Sequence, residues 1–156
     1  MEESILQMQR SLKWLQDVTT GAIGYELESR TLQGLQVIRA QRGFLRCSFI
    51  VPTHASDVNG NWHVGAIATI IDNVGGAAIY SIGDHLKVTV NFNISYYSTA
   101  KIQEEVEIEA KVIGNKGKLT SVVVDVRKKH NGELIAIGKQ WTASNDYRSP
   151  QPRPKL

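Results

Sequence analysis

Hydrophobic positions in this chain follow two spacings, one helical and one alternating. Near the N-terminus, Ile5, Met8 and Leu12 recur every three or four residues, which predicts an amphipathic helix over residues 3–18. This helix is expected to pack on the domain and to carry no chemistry. Residues 19–34 contain glycine and show no clear period, so we expect a loop leading into the first strand.

Apolar runs bounded by turn signals, two of them with clear alternation of apolar and polar residues, predict six strands in the rest of the chain. The clearest case is the third strand, where Val88, Val90 and Phe92 alternate with polar residues. Hairpin turns are expected at residues 41–43 and at Asn131-Gly132. The six predicted strands cover residues 35–39, 44–51, 88–96, 105–112, 119–129 and 134–143.

Between the second and third strands, residues 63–82 are apolar on nearly all sides, which predicts a helix buried by other structure. The charge of Asp72 near its middle makes a membrane span unfavourable, and none is predicted. Together these elements predict an α+β fold, in which a curved antiparallel sheet of about six strands wraps around one long buried helix. Such a sheet leaves its edges and part of the helix open. We therefore expect a homo-oligomer in which sheets pair edge to edge.

The composition fits one globular domain. The chain has 156 residues, of which 42% are hydrophobic, enough to form a core without disulfides or metals. The single cysteine, Cys47, excludes an intramolecular disulfide and is expected to be buried. We divide the chain into an N-terminal helix and lead-in (residues 1–34), a main domain (residues 35–144) and a flexible, proline-rich C-terminal tail (residues 145–156).

Charge and motifs narrow the function classes. The net charge of +3 is weak support for a nucleic-acid partner and is compatible with a phosphate-bearing small molecule. The sequence has no zinc-ligand spacing, no P-loop and no G-x-S-x-G motif. Residues 1–17 lack the pattern of a secretory signal. We predict no nucleic-acid partner, no metal and no cofactor.

Two positions around the predicted buried helix can carry chemistry. Asp72, with Asn73 beside it, has two possible roles. It is either a general base or nucleophile at a cleft, or a structural residue whose carboxylate is fully hydrogen-bonded. An unpaired carboxylate buried there would be costly. His63 stands at the helix start, where free amides can hold a developing negative charge, although such a histidine is more often a cap. Nine residues, roughly 13 Å along a helix, separate His63 from Asp72. The two positions can therefore meet only across a two-fold interface.

Residues 63–73, with the sequence HVGAIATIIDN, resemble the H-G-G-x-x-A-T-x-x-D-x signature of hotdog-fold thioesterases. Residues 88–98 are similar to the strand that follows it, and the match continues through residues 100–101 and 132–136. The resemblance spans roughly residues 35–143 and is to the thioesterase superfamily member 2-like (acyl-coenzyme A thioesterase 13-like) branch. It implies a hotdog fold, dimers that share a continuous sheet and often pair into tetramers, and hydrolysis of acyl-CoA to a free acid and coenzyme A.

The resemblance also implies roles for individual residues. Asp72 falls on the catalytic carboxylate, as nucleophile or general base, and the Val64 amide, next to His63, falls on the oxyanion hole. Thr89 falls on the hydroxyl that orients the attacking water, and Asp57 falls on an asparagine that helps to place this water. The implied substrate-binding residues are Gly65, Asn73, Asn91, Tyr96 and Asn115.

Two departures from the family pattern leave the activity open. Val64 replaces the usual first glycine, and its β-branched side chain restricts the backbone and crowds the substrate. Asp57 replaces asparagine, and an ionised aspartate donates no hydrogen bond. A non-catalytic acyl-CoA-binding protein and an oligomeric interaction module on the same scaffold therefore remain alternatives to the enzyme.

The last three residues give an expectation about location. Pro154-Lys155-Leu156 resembles the S-K-L class of peroxisomal address, with proline in place of serine. We expect a peroxisomal protein, and a cytoplasmic protein is the alternative.

Overall fold

The computed structural model describes residues 1–144 and Pro152, and this part of the chain forms three α-helices and six strands. The rest of the predicted C-terminal tail, including the final three residues, lies outside the described residues. The helices are α1 (Glu2–Thr20), α2 (Glu26–Thr31) and α3 (Val64–Tyr80). The strands are β1 (Gln36–Gln41), β2 (Phe44–Ile50), β3 (Val88–Tyr96), β4 (Glu105–Lys116), β5 (Leu119–Lys128) and β6 (Leu134–Ala143).

The six strands form one antiparallel sheet in the order β1-β2-β4-β5-β6-β3. The predicted α+β architecture, one sheet around one buried helix, is confirmed. Gly43 and Gly132 have φ angles of 76° and 73° at the β1–β2 and β5–β6 hairpins, a backbone region that suits glycine. Strands β1 and β3 are the edges of the sheet, and every residue of β3 except the half-buried Ile94 is exposed.

Helix α3 lies close against the sheet because two glycines remove side chains from the contact. A Cβ atom at Gly138 in β6 would lie 2.5 Å from Cγ2 of Ile71, and one at Gly75 would lie 3.2 Å from methyl groups of Val122 and Val124. This close approach fixes the height of α3 above β5 and β6. Within residues 1–144, no helix combines the length and the apolar character that a bilayer crossing requires.

The N-terminal helix α1 packs on the C-terminal half of α3. The Ser11 hydroxyl donates a hydrogen bond to the Ala77 carbonyl, and the Trp14 and Tyr80 rings meet edge to face with centroids 6.2 Å apart. The chain's own N-terminus therefore covers this half, while the start of α3 stays open as expected for a single chain, with Val64 56% exposed. The open strand edges remain as a reason for assembly.

Two stretches differ from the predicted elements. Residues 19–34, expected as a loop, contain the six-residue helix α2, which begins where the Tyr25 amide donates to the Glu28 carboxylate at 3.1 Å. Strand β4 was expected to end at residue 112 but continues to Lys116, because a bulge between Val112 and Gly114 lets the pairing with β5 resume.

A bulge in β3 changes which side chains face α3. Thr89 pairs with Thr142 and Phe92 pairs with Gln140, with the register shift between Thr89 and Asn91. Thr142 and Gln140 are both buried on the same face of β6. Thr89 and Phe92 therefore share that face, although regular alternation would place residues three apart on opposite faces.

Candidate active site

Asp72 lies in the middle of α3, and its side chain is exposed to a cavity. Its Oδ1 atom accepts a hydrogen bond from Nε2 of Gln140 at 2.6 Å. The same Nε2 atom donates to Oγ1 of Thr89, also at 2.6 Å. The cost of a buried and unpaired carboxylate is therefore avoided, because Asp72 is open on one side and hydrogen-bonded on the other. One amide group thus holds the Asp72 carboxylate and the Thr89 hydroxyl together.

Gln140 is a site residue that sequence reasoning missed. It projects from β6 toward α3 and is 1% exposed, and its Oε1 atom has no hydrogen-bond partner among the described residues. A buried acceptor without a partner is costly. This cost is offset by the two hydrogen bonds that Nε2 makes with Asp72 and Thr89. The available signal was a polar residue between Gly138 and Thr142, at the inward positions of an alternating strand.

The surroundings of Asp72 change its proton affinity. Desolvation by the surrounding protein raises the pKa of Asp72 above its ordinary value, and hydrogen bonds from Gln140 and Thr89 act in the opposite direction. The nearby Glu28 carboxylate adds a smaller upward effect on the pKa of Asp72. A carboxylate with a raised pKa is a better proton acceptor than an ordinary one, which suits general-base chemistry.

The cavity beside Asp72 has a volume of about 440 Å³, within the range of small-molecule sites. It lies between the N-terminal segment, α3, the start of β3 and β6. Both apolar and polar side chains line its walls. Its lining residues are Trp14, Val18, Ile23, Gly24, Tyr25, Glu28, Asp72, Asn73, Gly76, Ile79, Leu86, Lys87, Val88, Thr89, Gln140 and Thr142.

His63 is the N-cap of α3, since its Nδ1 atom accepts a hydrogen bond from the Gly65 amide at 2.9 Å. The Val64 amide, one residue earlier, belongs to the first turn and has no acceptor within the helix. The Val64 side chain is 56% exposed, and its carbonyl accepts a hydrogen bond from the Tyr96 hydroxyl at 3.0 Å. The helix start thus presents a free amide as an oxyanion hole requires, with Tyr96 beside it.

The single chain does not bring the two halves of the predicted site together. Val64 and Asp72 are eight residues apart on one helix, about 12 Å along its axis. His63 and Gly65 line a second cavity, of about 570 Å³, to which Asp72 does not belong. Asp57 lies in the loop before α3, where its Oδ1 atom accepts hydrogen bonds from the amides of Asn59 and Asn61, so this atom is committed to the turn.

The remaining predicted substrate-binding residues are dispersed. The buried Asn73 side chain donates to the Thr69 carbonyl at 2.8 Å. Asn91 pairs with the exposed Trp141 on the sheet face away from α3. Asn115 accepts a hydrogen bond from the Thr120 hydroxyl at 2.9 Å. Of these three, Asn73 alone lines the cavity of Asp72.

Other reactive groups in the described residues do not form a second reactive centre. Cys47 is fully buried, as predicted, and burial raises the pKa of its thiol to about 12. The thiol therefore stays protonated at neutral pH and is a poor nucleophile. Among residues 1–144, no group of three or more His, Cys, Asp or Glu side chains converges in a way that could hold a metal ion.

Comparison with known proteins gives consistent matches. The sequence profile of the Thioesterase superfamily matches residues 59–135. Acyl-coenzyme A thioesterase 13 of Homo sapiens is 31% identical over 133 residues, which cover 85% of this chain and 93% of the human protein.

Solved structures match over a similar length. The crystal structure of zebra fish thioesterase superfamily member 2 has a TM-score of 0.76 at 31% identity, and the match covers 83% of this chain and 94% of that one. Thioesterase superfamily member 2 from Mus musculus has a TM-score of 0.74 at 28% identity, with 87% and 96% covered. These structures confirm the predicted hotdog fold.

Proposed function

The chain belongs to the thioesterase superfamily, and we propose that it hydrolyses acyl-CoA thioesters to a free acid and coenzyme A. Two observations support this substrate class. The curated relatives at 31–32% identity are named acyl-coenzyme A thioesterase 13. The cavity beside Asp72 has a partly apolar wall that suits an acyl group.

The observation that carries the proposal is the Asp72 carboxylate, which accepts a hydrogen bond from Gln140 beside Thr89 and whose pKa is raised by desolvation. As a general base, Asp72 takes a proton from water while the water oxygen bonds to the thioester carbon. The carbon–sulfur bond then breaks, and the proton passes to the sulfur of coenzyme A. As a nucleophile, Asp72 would instead attack the thioester carbon and expel the coenzyme A thiolate, forming an anhydride. Water would then hydrolyse the anhydride to the free acid and the Asp72 carboxylate, and the proton released would pass to the thiolate. In both routes the Val64 amide stabilises the oxyanion.

We infer a homodimer or homotetramer, with β3 as the interface between two chains. Strand β3 pairs with β6 on one side and is exposed along nearly its whole length. It carries the exposed apolar side chains Val90, Phe92 and Tyr96. An open apolar edge of this length favours pairing with a second copy. A two-fold axis there would bring Val64 of one chain toward Asp72 of the other, which one helix cannot do.

Light scattering over a range of concentrations tests this assembly. A dimer or tetramer mass is expected at every concentration. A concentration-independent monomer would contradict both the interface and the shared site. The predicted contacts of coenzyme A with Gly65, Asn91, Tyr96 and Asn115 belong to the same proposal, because these residues lie outside the cavity of Asp72 in one chain.

Release of free thiol from a panel of acyl-CoAs tests the activity. We expect release from at least one substrate, above the rate of spontaneous hydrolysis in buffer. A binding measurement on the same panel separates the enzyme from the second candidate, a non-catalytic acyl-CoA-binding protein. The exposed Val64 side chain favours that candidate, because a β-branched residue in place of glycine crowds the substrate at the oxyanion position. Tight binding without thiol release would establish the non-catalytic binding protein. If both binding and release are absent, the oligomeric interaction module is the remaining alternative.

We also propose a peroxisomal location, on the strength of Pro154-Lys155-Leu156. A receptor for this address reads a basic side chain and a leucine next to a free carboxylate, and Lys155 and Leu156 supply the two side chains. The test is a fluorescent reporter that carries residues 147–156 at its C-terminus. Punctate fluorescence that coincides with a peroxisomal marker is expected. A diffuse signal would favour the cytoplasmic alternative and leave the enzymatic proposal untouched.

A further inference from the structure

The cavity of Asp72 is closed on one side by the N-terminal segment of the chain. Trp14 and Val18 of α1 and Ile23 of the following turn line it, together with Tyr25 and Glu28 around the start of α2. The N-terminal helix, from which no chemistry was expected, therefore contributes directly to the space next to the catalytic carboxylate.

The opposite wall is one face of α3. Asp72, Gly76 and Ile79 are spaced by four and three residues, so they lie on the same side of the helix. All three line the cavity. The distance from Asp72 to Ile79 along the helix axis is about 10 Å. The cavity thus follows α3 from the carboxylate toward the C-terminal end of the helix.

Trp14 lies across this wall one helical turn from Asp72. A Cβ atom at Gly76 would stand 3.7 Å from Cη2 of Trp14, in ordinary van der Waals contact. The indole ring therefore lies beside Gly76 and Tyr80, which are about 6 and 12 Å along the helix axis from Asp72. The ring is also fixed edge to face against Tyr80. The ring thus presents a partly buried apolar surface to the cavity.

The charged groups in the cavity wall are engaged by the protein. The Glu28 carboxylate accepts the hydrogen bond from the Tyr25 amide. The Lys87 ammonium donates to the Thr120 hydroxyl. Apart from Asp72 and Asn73, the wall along α1 and α3 is apolar, with Val18 and Ile79 among its buried members. Such a channel fits an unbranched aliphatic chain better than a charged one.

We propose that α1 forms the acyl-binding wall and that Trp14 sets the length of the acyl group. This inference rests on the proposed thioesterase function. An extended chain advances about 1.1–1.2 Å per bond, since three backbone bonds span about 3.3–3.6 Å. A groove of about 10 Å therefore accommodates an acyl chain of about eight carbons, which runs from the thioester at Asp72 along α3 and ends against the Trp14 ring.

The test is the dependence of kcat/KM on the length of saturated acyl-CoAs, from acetyl to palmitoyl. In the parent protein, kcat/KM should rise about fourfold per added methylene group up to about eight carbons and then level off. In Trp14→Ala the rise should continue to longer chains, and in Trp14→Phe the break should lie in between. Lys13→Ala is the matched control, because its side chain is 66% exposed on the same helix. It should keep the parental profile.

Three results would overturn the inference. The first is an unchanged chain-length profile in Trp14→Phe or Trp14→Ala, with thermal unfolding used to confirm that each variant is folded. The second is an equal change at every length including acetyl, since this would place the pantetheine arm rather than the acyl group beside Trp14. The third is a preference for acyl groups with a terminal carboxylate. Absence of thiol release from every substrate in the parent protein would instead refute the proposed function itself.

Discussion

Replacement of Gln140 by leucine should separate the catalytic contribution of this residue from its structural one. Gln140 is 1% exposed, and its Nε2 atom donates to both Asp72 and Thr89 at 2.6 Å. A hydrogen bond to a charged group contributes about 1.5–3 kcal/mol. If the transition state needs this carboxylate geometry, kcat/KM should fall about 10- to 150-fold in Gln140→Leu.

The same variant should change the pH dependence of the reaction in a defined direction. The Gln140 hydrogen bond lowers the pKa of Asp72, while desolvation raises it. Loss of the hydrogen bond leaves desolvation less opposed, so the pKa of Asp72 should increase. The acid limb of the kcat/KM profile, where Asp72 becomes protonated, should therefore move to higher pH.

The fold should tolerate this change. Leucine has a similar shape, and it also removes the buried Oε1 atom of Gln140 that has no partner among the described residues. The unfolding midpoint should thus stay near the parental value. Lys139→Gln, one residue earlier on the exposed face of β6, is the control and should change neither rate nor pH profile. A lower rate with an unmoved acid limb would refute the role assigned to Gln140.

Three further predictions concern helix packing, charge and the oxyanion position. Gly138→Ala should lower the free energy of unfolding by about 1–3 kcal/mol in a denaturant titration, because the new methyl group would collide with Ile71. Gly114→Ala, where the nearest atom is 3.6 Å away, should be nearly neutral. Asp72→Asn should raise the melting temperature near neutral pH, because the raised pKa means that the ionised carboxylate costs stability. This gain should vanish as the pH falls through the folded and then the unfolded pKa, and its absence near neutral pH would contradict the raised pKa. Val64→Gly should change the rate or the acyl-chain preference, and an unchanged substrate profile would show that the Val64 side chain points away from the thioester.

The elements that sequence reasoning located well are those with a strong local signal. Strand β6 has the predicted bounds, residues 134–143, because an apolar run begins just after the strong Asn131-Gly132 turn signal. Helix α3 was expected from its nearly uniform apolar character, and it begins and ends within two residues of the expected limits. Helix α2 was missed because it is only six residues long and begins at Tyr25, which is not a usual N-cap residue.

The parts of the site that could not be predicted depend on long-range register. Gln140 reaches Asp72 only because β6 lies under α3, and their separation of 68 positions in the sequence gives no local sign of this contact. Thr89 turns toward the same group because of a bulge in β3, which apolar–polar alternation does not reveal. The contact of Trp14 with α3 likewise follows from how the helices pack, since its own spacing indicates only an amphipathic helix.

The central claim, that Asp72 carries out hydrolysis of acyl-CoA, is tested most directly by thiol release from one good substrate by the parent protein and by Asp72→Asn. Asparagine keeps the shape of the side chain and can still accept the hydrogen bond from Gln140, so the fold and the assembly should be retained. The account predicts a loss of about 10²- to 10⁴-fold in kcat at an unchanged mass in light scattering. A folded Asp72→Asn variant that releases thiol at the parental rate would contradict it.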